Sequence, residues 1–164
     1  MANLQCVQPM TISLRPYSDH DREFLFKLYA STRADEIAPF AWPPAQQEAF
    51  LRMQFTAQQQ WYTMSYAQAE HHIVEQNGVP IGRLMVLRSQ PAAVLVDIAL
   101  LPEHRGKGIG GDLVRDLIEQ CNQAGLPLRL QVLKTNPALR FYERLGFNRI
   151  GEDQMYIQME REPG

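Results

Sequence analysis

Apolar and polar positions alternate from Thr11 to Arg15, the period of a half-buried strand. Ser18 and Asp21 then have the spacing of a capping box. Phe24, Leu25, Leu28 and Tyr29 follow at the intervals that give a helix one apolar face. Arg33 to Pro44 contains Pro39, Pro43 and Pro44 with Phe40 and Trp42, so it reads as a loop. A second helix is expected from near Ala45 to about Gln60. His71 to Glu75 and Ile81 to Arg88 flank Asn77-Gly78, a turn signal that predicts an antiparallel hairpin.

From Ala92 the pattern becomes a long apolar strand ending near Leu101, then a glycine loop, then a helix to about Ala124. Leu113, Val114, Leu117, Ile118 and Cys121 form the buried stripe of that helix, and Gly125 and Pro127 end it. Leu128 to Leu133 reads as a strand. Asn136 and Pro137 supply an N-cap and first-turn proline for a short helix, and Gly146 is its C-cap. Phe147 to Ile150 and Gln154 to Glu160 complete an α/β sandwich around a mixed sheet.

Composition narrows the function classes. A chain of 164 residues, 45% apolar and 21% charged, has the size and balance of one globular domain. The net charge is −2 and the basic residues are scattered, which argues against nucleic acid or anionic lipid as a partner. The apolar stretch Ala92 to Val96 stops at Asp97, far short of the roughly 20 residues that cross a bilayer, so no membrane association is expected. Met1 to Cys6 has no basic start or apolar core, so a cytoplasmic location is expected. Cys6 and Cys121 are too few for a zinc site or a disulfide framework, and no metal is expected; Cys121 reads as a core thiol.

The chemistry is concentrated in the glycine loop. Gly106, Gly108 and Gly110 allow a tight turn and a close backbone approach to a ligand. The positive end of the following helix, with Arg105 and Lys107, suits a diphosphate. Gly106 to Gly111 also satisfies the dinucleotide pattern G-x-G-x-x-G. Against that reading, the acid expected about 20 residues onward is missing, because the strand Leu128 to Leu133 ends at Lys134. Gly111 is followed by Asp112, which excludes an ATP-binding P-loop.

Arg105-x-x-Gly108-x-Gly110 after a long strand, with Asn136 and Tyr142 downstream, resembles the GNAT superfamily of acetyl-coenzyme A dependent acetyltransferases. The similarity runs from about Val94 to Ile150, and Asn136 to Phe147 resembles the second cofactor motif. In one departure, Asn136 lies six residues before Tyr142, where many relatives have seven. The resemblance implies a mixed, mostly antiparallel sheet of about seven strands flanked by about four helices. It also implies one acetyltransferase domain over 1–164, with an acceptor side in 1–90 and a cofactor side in 91–160.

By resemblance, the amides of Arg105, Gly106, Lys107, Gly108, Ile109 and Gly110 hold the pyrophosphate of acetyl-coenzyme A. Backbone groups around Ile98 and Leu100, on a strand splayed from its neighbour, pair with the pantetheine arm. Tyr142 resembles the proton donor to the leaving thiolate; otherwise it is a core aromatic. Asn136 reads as an N-cap or a cofactor contact. Asp97, an acid within the buried strand, needs either a structural partner or a catalytic task. Glu103 and His104 are expected to face solvent. Arg33 to Pro44, with Asp35, Glu36, Phe40 and Trp42, corresponds to the segment bordering the acceptor pocket, although Phe40 and Trp42 also fit a core; Trp61, Tyr62 and Tyr66 are as ambiguous. The expected acceptor is a small primary amine, and the family also raises a homodimer. A non-catalytic acyl-coenzyme A sensor is the alternative.

Overall fold

The computed structural model describes residues 11–164; Cys6 and the amino-terminal stretch read above lie outside the described residues. The chain forms β1 (Ile12–Pro16), α1 (Arg22–Ile37), α2 (Pro44–Ser65), β2 (Glu70–Gln76), β3 (Val79–Leu87), β4 (Ala93–Leu100), α3 (Ile109–Ala124), β5 (Leu128–Leu133), α4 (Ala138–Arg144), β6 (Asn148–Glu152) and β7 (Tyr156–Arg161). These give one seven-stranded sheet in the order β1-β2-β3-β4-β5-β7-β6. All neighbours are antiparallel except β4 and β5. No helix among the described residues is long and apolar enough to cross a membrane.

Two apolar clusters build the sandwich. Leu113, Val114, Leu117, Ile118 and Cys121 of α3 pack with Leu95 of β4 and Leu130 of β5, and Cys121 is the expected core thiol. Leu25 and Leu28 of α1 join Leu51 and Phe55 of α2 over Ile73 of β2. The β2–β3 turn is the one that Asn77-Gly78 requires, since both residues have positive φ, 51° and 80°.

Three element boundaries differ from the sequence reading. Helix α1 continues through Ile37, because Ile37 is buried against α2 and Arg33 bridges to Glu36 one turn on. Asp35 and Glu36 therefore belong to a helix, and only Ala38–Phe40 and the residues up to Pro43 form the connection. Helix α2 runs to Ser65, so Trp61 and Tyr62 are helical.

The strand read as continuously buried is buried only in part. β4 pairs with β5 at Ala93↔Leu128 and Val94↔Arg129 and at no later position, while β5 keeps all six of its residues on β7. On the other edge of β4, Met85 faces Asp97 and Val86 faces Leu95, leaving Val96 as the extra residue of a β-bulge. The bulge turns β4 away from β5, and Val96, Asp97, Ile98 and Ala99 are half-buried as a result.

The expected capping box is tied into the sheet. The Ser18 N–H donates to Asp21 at 2.9 Å, and Arg15 of β1 grips the same carboxylate at 2.7 and 2.8 Å while also reaching Glu75 of β2 at 3.1 Å. The Arg15 guanidinium holds the Asp21 carboxyl down at about 2. A carboxyl depressed in the folded state stabilises at any pH above its unfolded value near 4, and that stabilisation is lost as pH falls through about 2. Asp21→Asn is expected to lower stability by about 1–2 kcal/mol at neutral pH. In urea melts across pH, the gap to the wild type should close as pH approaches 2; a gap independent of pH would remove the ion pair as its cause.

Candidate functional site

The split between β4 and β5 is where the candidate residues meet. Beyond Val94 the facing backbone edges of the two strands lack each other as partners, which is open territory for an extended ligand. A cavity of about 210 Å³ lies in the split, bordered by Asp97 and Ile98 of β4, Leu133 at the end of β5, Asn136, Tyr142 of α4 and Tyr156 of β7. Asp97, Ile98, Leu133 and Asn136 also border a second cavity of about 280 Å³, which reaches Tyr29, Arg33 and Glu36 of α1. A third, of about 500 Å³, takes in Trp61, Tyr62 and Tyr66 with Gln131 and Tyr156.

At one end of this space β4 enters the glycine loop. Leu101 N–H bonds Ile81 O at 2.8 Å and Arg105 Nε donates to Leu100 O at 2.9 Å, so the Arg105 side chain closes the end of the strand. The guanidinium keeps its charge and Arg105 remains exposed, so it still brings positive charge to the loop. The Arg105 amide is also taken, by Pro102 O at 3.2 Å. The amides free to meet an anion begin at Gly106, and Asp112 is the first residue of α3 whose N–H bonds back, to Gly108 O at 3.0 Å.

Gly106 and Gly108 have φ of 73° and 83° with open space where a Cβ would stand, so backbone conformation demands glycine there. Gly111 is different, because an added Cβ would lie 3.3 Å from the Phe141 ring of α4. Lys107 is exposed beside these amides; Glu103 is exposed as expected, but His104 only partly.

Tyr142 is 8% exposed, wedged between Phe141 and Phe147 with centroids 5.7 Å away on each side. It is both the core aromatic and a wall of the cavity. Burial, then the negative charge of Asp97, pushes its phenol above the ordinary range, so the hydroxyl stays protonated. Asn136 caps α4 by accepting the Ala138 N–H at 2.9 Å, and it borders the cavity as well.

Asp97 has a partner that the sequence reading missed. Arg83 of β3, 2% exposed, brings Nε to 3.2 Å from the carboxylate, and its other nitrogens reach Gln59 Oε1 at 3.4 and 3.5 Å and Met85 Sδ at 2.8 Å. The guanidinium lies 5.1 Å from the Tyr62 ring centre. A quarter of the Asp97 side chain is open, but to the cavities. Burial therefore pushes its carboxyl up, opposed by Arg83, by the Ile98 N–H and by the Tyr62 hydroxyl. The Tyr62 phenol is itself raised by burial and by Asp97. The signal for Arg83 was a lone cation in an apolar run; its partner could not be read without the β3–β4 register, which sets it diagonally across from Asp97.

The aromatics of the helix connection fall elsewhere. Phe40, 60% exposed, stacks on Trp42 at 5.0 Å, and Trp42 packs edge-on against Phe50 at 5.0 Å. Neither borders these cavities, and nor does Asp35; Glu36 does, joined by Arg33, which the sequence reading had not singled out for chemistry.

Comparison with known proteins agrees with this architecture. Residues 27–147 match the family model described as Acetyltransferase (GNAT) family. The chain is 35% identical over 79 residues to the [ribosomal protein bS18]-alanine N-acetyltransferase of Haemophilus influenzae, a stretch covering 48% of this chain and 53% of that one. The match thus spans about half the length of this curated relative. Among solved structures, the PaiA N-acetyltransferase of Thermoplasma acidophilum in complex with coenzyme A superposes with a TM-score of 0.70 at 21% identity, covering 93% of this chain and 99% of that one. The ribosomal-protein-S18-alanine N-acetyltransferase of Escherichia coli gives 0.63 at 19% identity, covering 93% and 94%.

The buried pair can be tested directly. Arg83→Met strands the Asp97 charge and is expected to cost about 3–5 kcal/mol of stability, whereas Arg83→Met with Asp97→Asn should recover a large part of that loss. Denaturant melts decide it, and additive losses in the double variant would show that the two side chains are not coupled.

Proposed function

The chain belongs to the acetyltransferase (GNAT) family, and on that premise we propose that it moves an acetyl group from acetyl-coenzyme A to a small primary amine, directly, within one ternary complex. The observation that carries this is the parting of β4 and β5 with a protonated tyrosine at its floor. The free amides from Gly106 to Gly110 and the positive end of α3 fit a pyrophosphate, while the unpaired β4 edge at Ile98 fits an extended amide-bearing arm. The dinucleotide alternative loses ground to the same sheet: strands paired antiparallel everywhere except β4–β5 are not a doubly wound parallel sheet.

When bound, acetyl-coenzyme A supplies an activated acyl carbon and a thiolate leaving group. The new bond is N–C, the bond lost is C–S, one N–H proton leaves the acceptor and one proton is gained by sulfur. Tyr142, which borders the cavity in the split, would offer its O–H to that sulfur. Full proton transfer from a phenol near 10 to a thiolate near 8.5 is uphill by about 2 kcal/mol, and the raised phenol of Tyr142 steepens that. Its work is therefore mainly hydrogen-bond stabilisation of the departing thiolate.

Asp97 is a weak base against an ammonium near 10.4, but its carboxyl is lifted by burial and it touches Tyr62 and the cavity. It orders the acceptor nitrogen and passes protons outward through water, with Arg83 holding it in place. Asn136 contributes the α4 cap and a polar edge beside Tyr142.

Titration with acetyl-coenzyme A and NADH, followed by thiol release against an amine panel, tests the reading. Acetyl-coenzyme A should bind and NADH should not. Binding without thiol release for any acceptor would instead support an acyl-coenzyme A sensor. Tyr142→Phe should lower turnover on the order of 10²-fold with cofactor affinity nearly unchanged; an unaltered rate would take Tyr142 out of the chemistry.

A further inference from the structure

The acceptor side of the split carries charges of both signs, and they are not equally available. The cavity of about 280 Å³ between α1 and β4 is at the small end for a ligand site and has an apolar floor in Leu25 and Leu28. Arg83 and Arg33 bring positive charge to it, Asp97 and Glu36 negative. The guanidinium of Arg83 is taken up by Asp97, Gln59 and Met85, and its side chain is only 3% exposed.

Arg33 differs. Its side chain is 32% exposed and both contacts with Glu36, at 3.1 and 3.2 Å, use Nη1. In both arginines Nε is buried with no hydrogen-bond partner, but that of Arg83 lies against the Asp97 carboxylate at 3.2 Å, whereas among the described residues no carboxylate lies against that of Arg33. Arg33 lies 5.3 Å from the Tyr29 ring centre and borders both this cavity and the adjoining one of about 500 Å³. A buried N–H without an acceptor is costly, and the planar fork of arginine matches a carboxylate with two parallel bonds. Asp97 lies on the same cavity, on the strand that leads to the split, close enough to feel the charge of Arg33.

We propose that the acceptor is a small zwitterion, an α-amino acid or a near analogue, whose carboxylate is received by Arg33 and whose amine is held at Asp97. This rests on the acetyl-transfer reading and narrows it. A plain amine brings no anion to answer the part of the Arg33 fork that Glu36 leaves unused. The N-terminus of a polypeptide has an amide where the free carboxylate would be. Arg33 is thus a specificity-determining residue, set one helical turn before Glu36, which steadies it.

The test compares free amino acids, their carboxamides, the corresponding decarboxylated amines and a peptide beginning with Ala as acceptors for the full chain, read as thiol release. The expected result is a KM at least about tenfold lower for free amino acids than for their carboxamides. Arg33→Gln should raise the KM for the acid toward that of the carboxamide with little change in kcat, and Arg33→Lys should keep part of the preference. Equal use of carboxamides, plain amines or the peptide would overturn the proposal, as would an acid preference that survives Arg33→Gln. If no acceptor is turned over, calorimetric titration of the acetyl-coenzyme A-loaded protein separates the two readings. Acid-selective binding that depends on Arg33 would uphold the acceptor class and leave acetyl transfer as the claim that failed; binding blind to the carboxylate, or none, would overturn the acceptor class itself.

Discussion

Strands β4 and β5 share pairing at Ala93–Leu128 and Val94–Arg129 alone, and the bulge at Val96 turns β4 aside from there on. A central strand that leaves its neighbour exposes backbone donors and acceptors that must find partners. Here the rest of the sheet is organised so that this opening survives: β5 remains fully paired to β7 on its far side, β3 supports β4, and Leu101 and Arg105 fasten the end of β4. Gly82 of β3 belongs to the same arrangement, since a Cβ there would come within 2.7 Å of a Leu100 side-chain carbon. The gap is therefore flanked by strands that are paired on their outer edges.

The wall of the gap contains buried charge. Arg83 and Asp97 satisfy part of each other's need, and Gln59, Met85 and Tyr62 complete the set, so that one ion pair links α2, β3 and β4. Burial raises the Asp97 carboxyl, and the negative charge of Asp97 adds to the burial that raises Tyr62 and Tyr142. Two phenols stay protonated on either side of a single carboxylate. An environment of this kind favours hydrogen-bond donation by the tyrosines over full proton release, and the charge of Asp97 is felt both at Tyr62 of α2 and at Tyr142 of α4.

Two physical causes are mixed in the glycine loop. Gly106 and Gly108 are required by positive φ, Gly111 is set close to the Arg115 and Phe141 side chains, and only the first two serve the row of free amides. The same letters spell a dinucleotide signature because that motif too needs a tight turn and a close helix. What separates them is the sheet in which the loop is set.

The local patterns were legible in the sequence: the Asn77-Gly78 hairpin, the capping box at Ser18 and Asp21, the stripe of α3 with Cys121, the glycine loop, Asn136 as the cap of α4, and the family to which these linked motifs belong. Each depends on residues near one another along the chain, where spacing alone carries the signal. The tertiary structure decided what depends on pairing between distant segments. It turned the continuous strand at Ala93–Leu100 into a bulged, half-open one, gave Asp97 its partner in Arg83, turned Arg105 back onto Leu100, carried Asp35 and Glu36 into α1, drew Arg33 to the cavity and left Phe40 and Trp42 away from it. A strand's register and a long side chain's direction are set by packing against elements tens of residues away, so no window along the chain contains them.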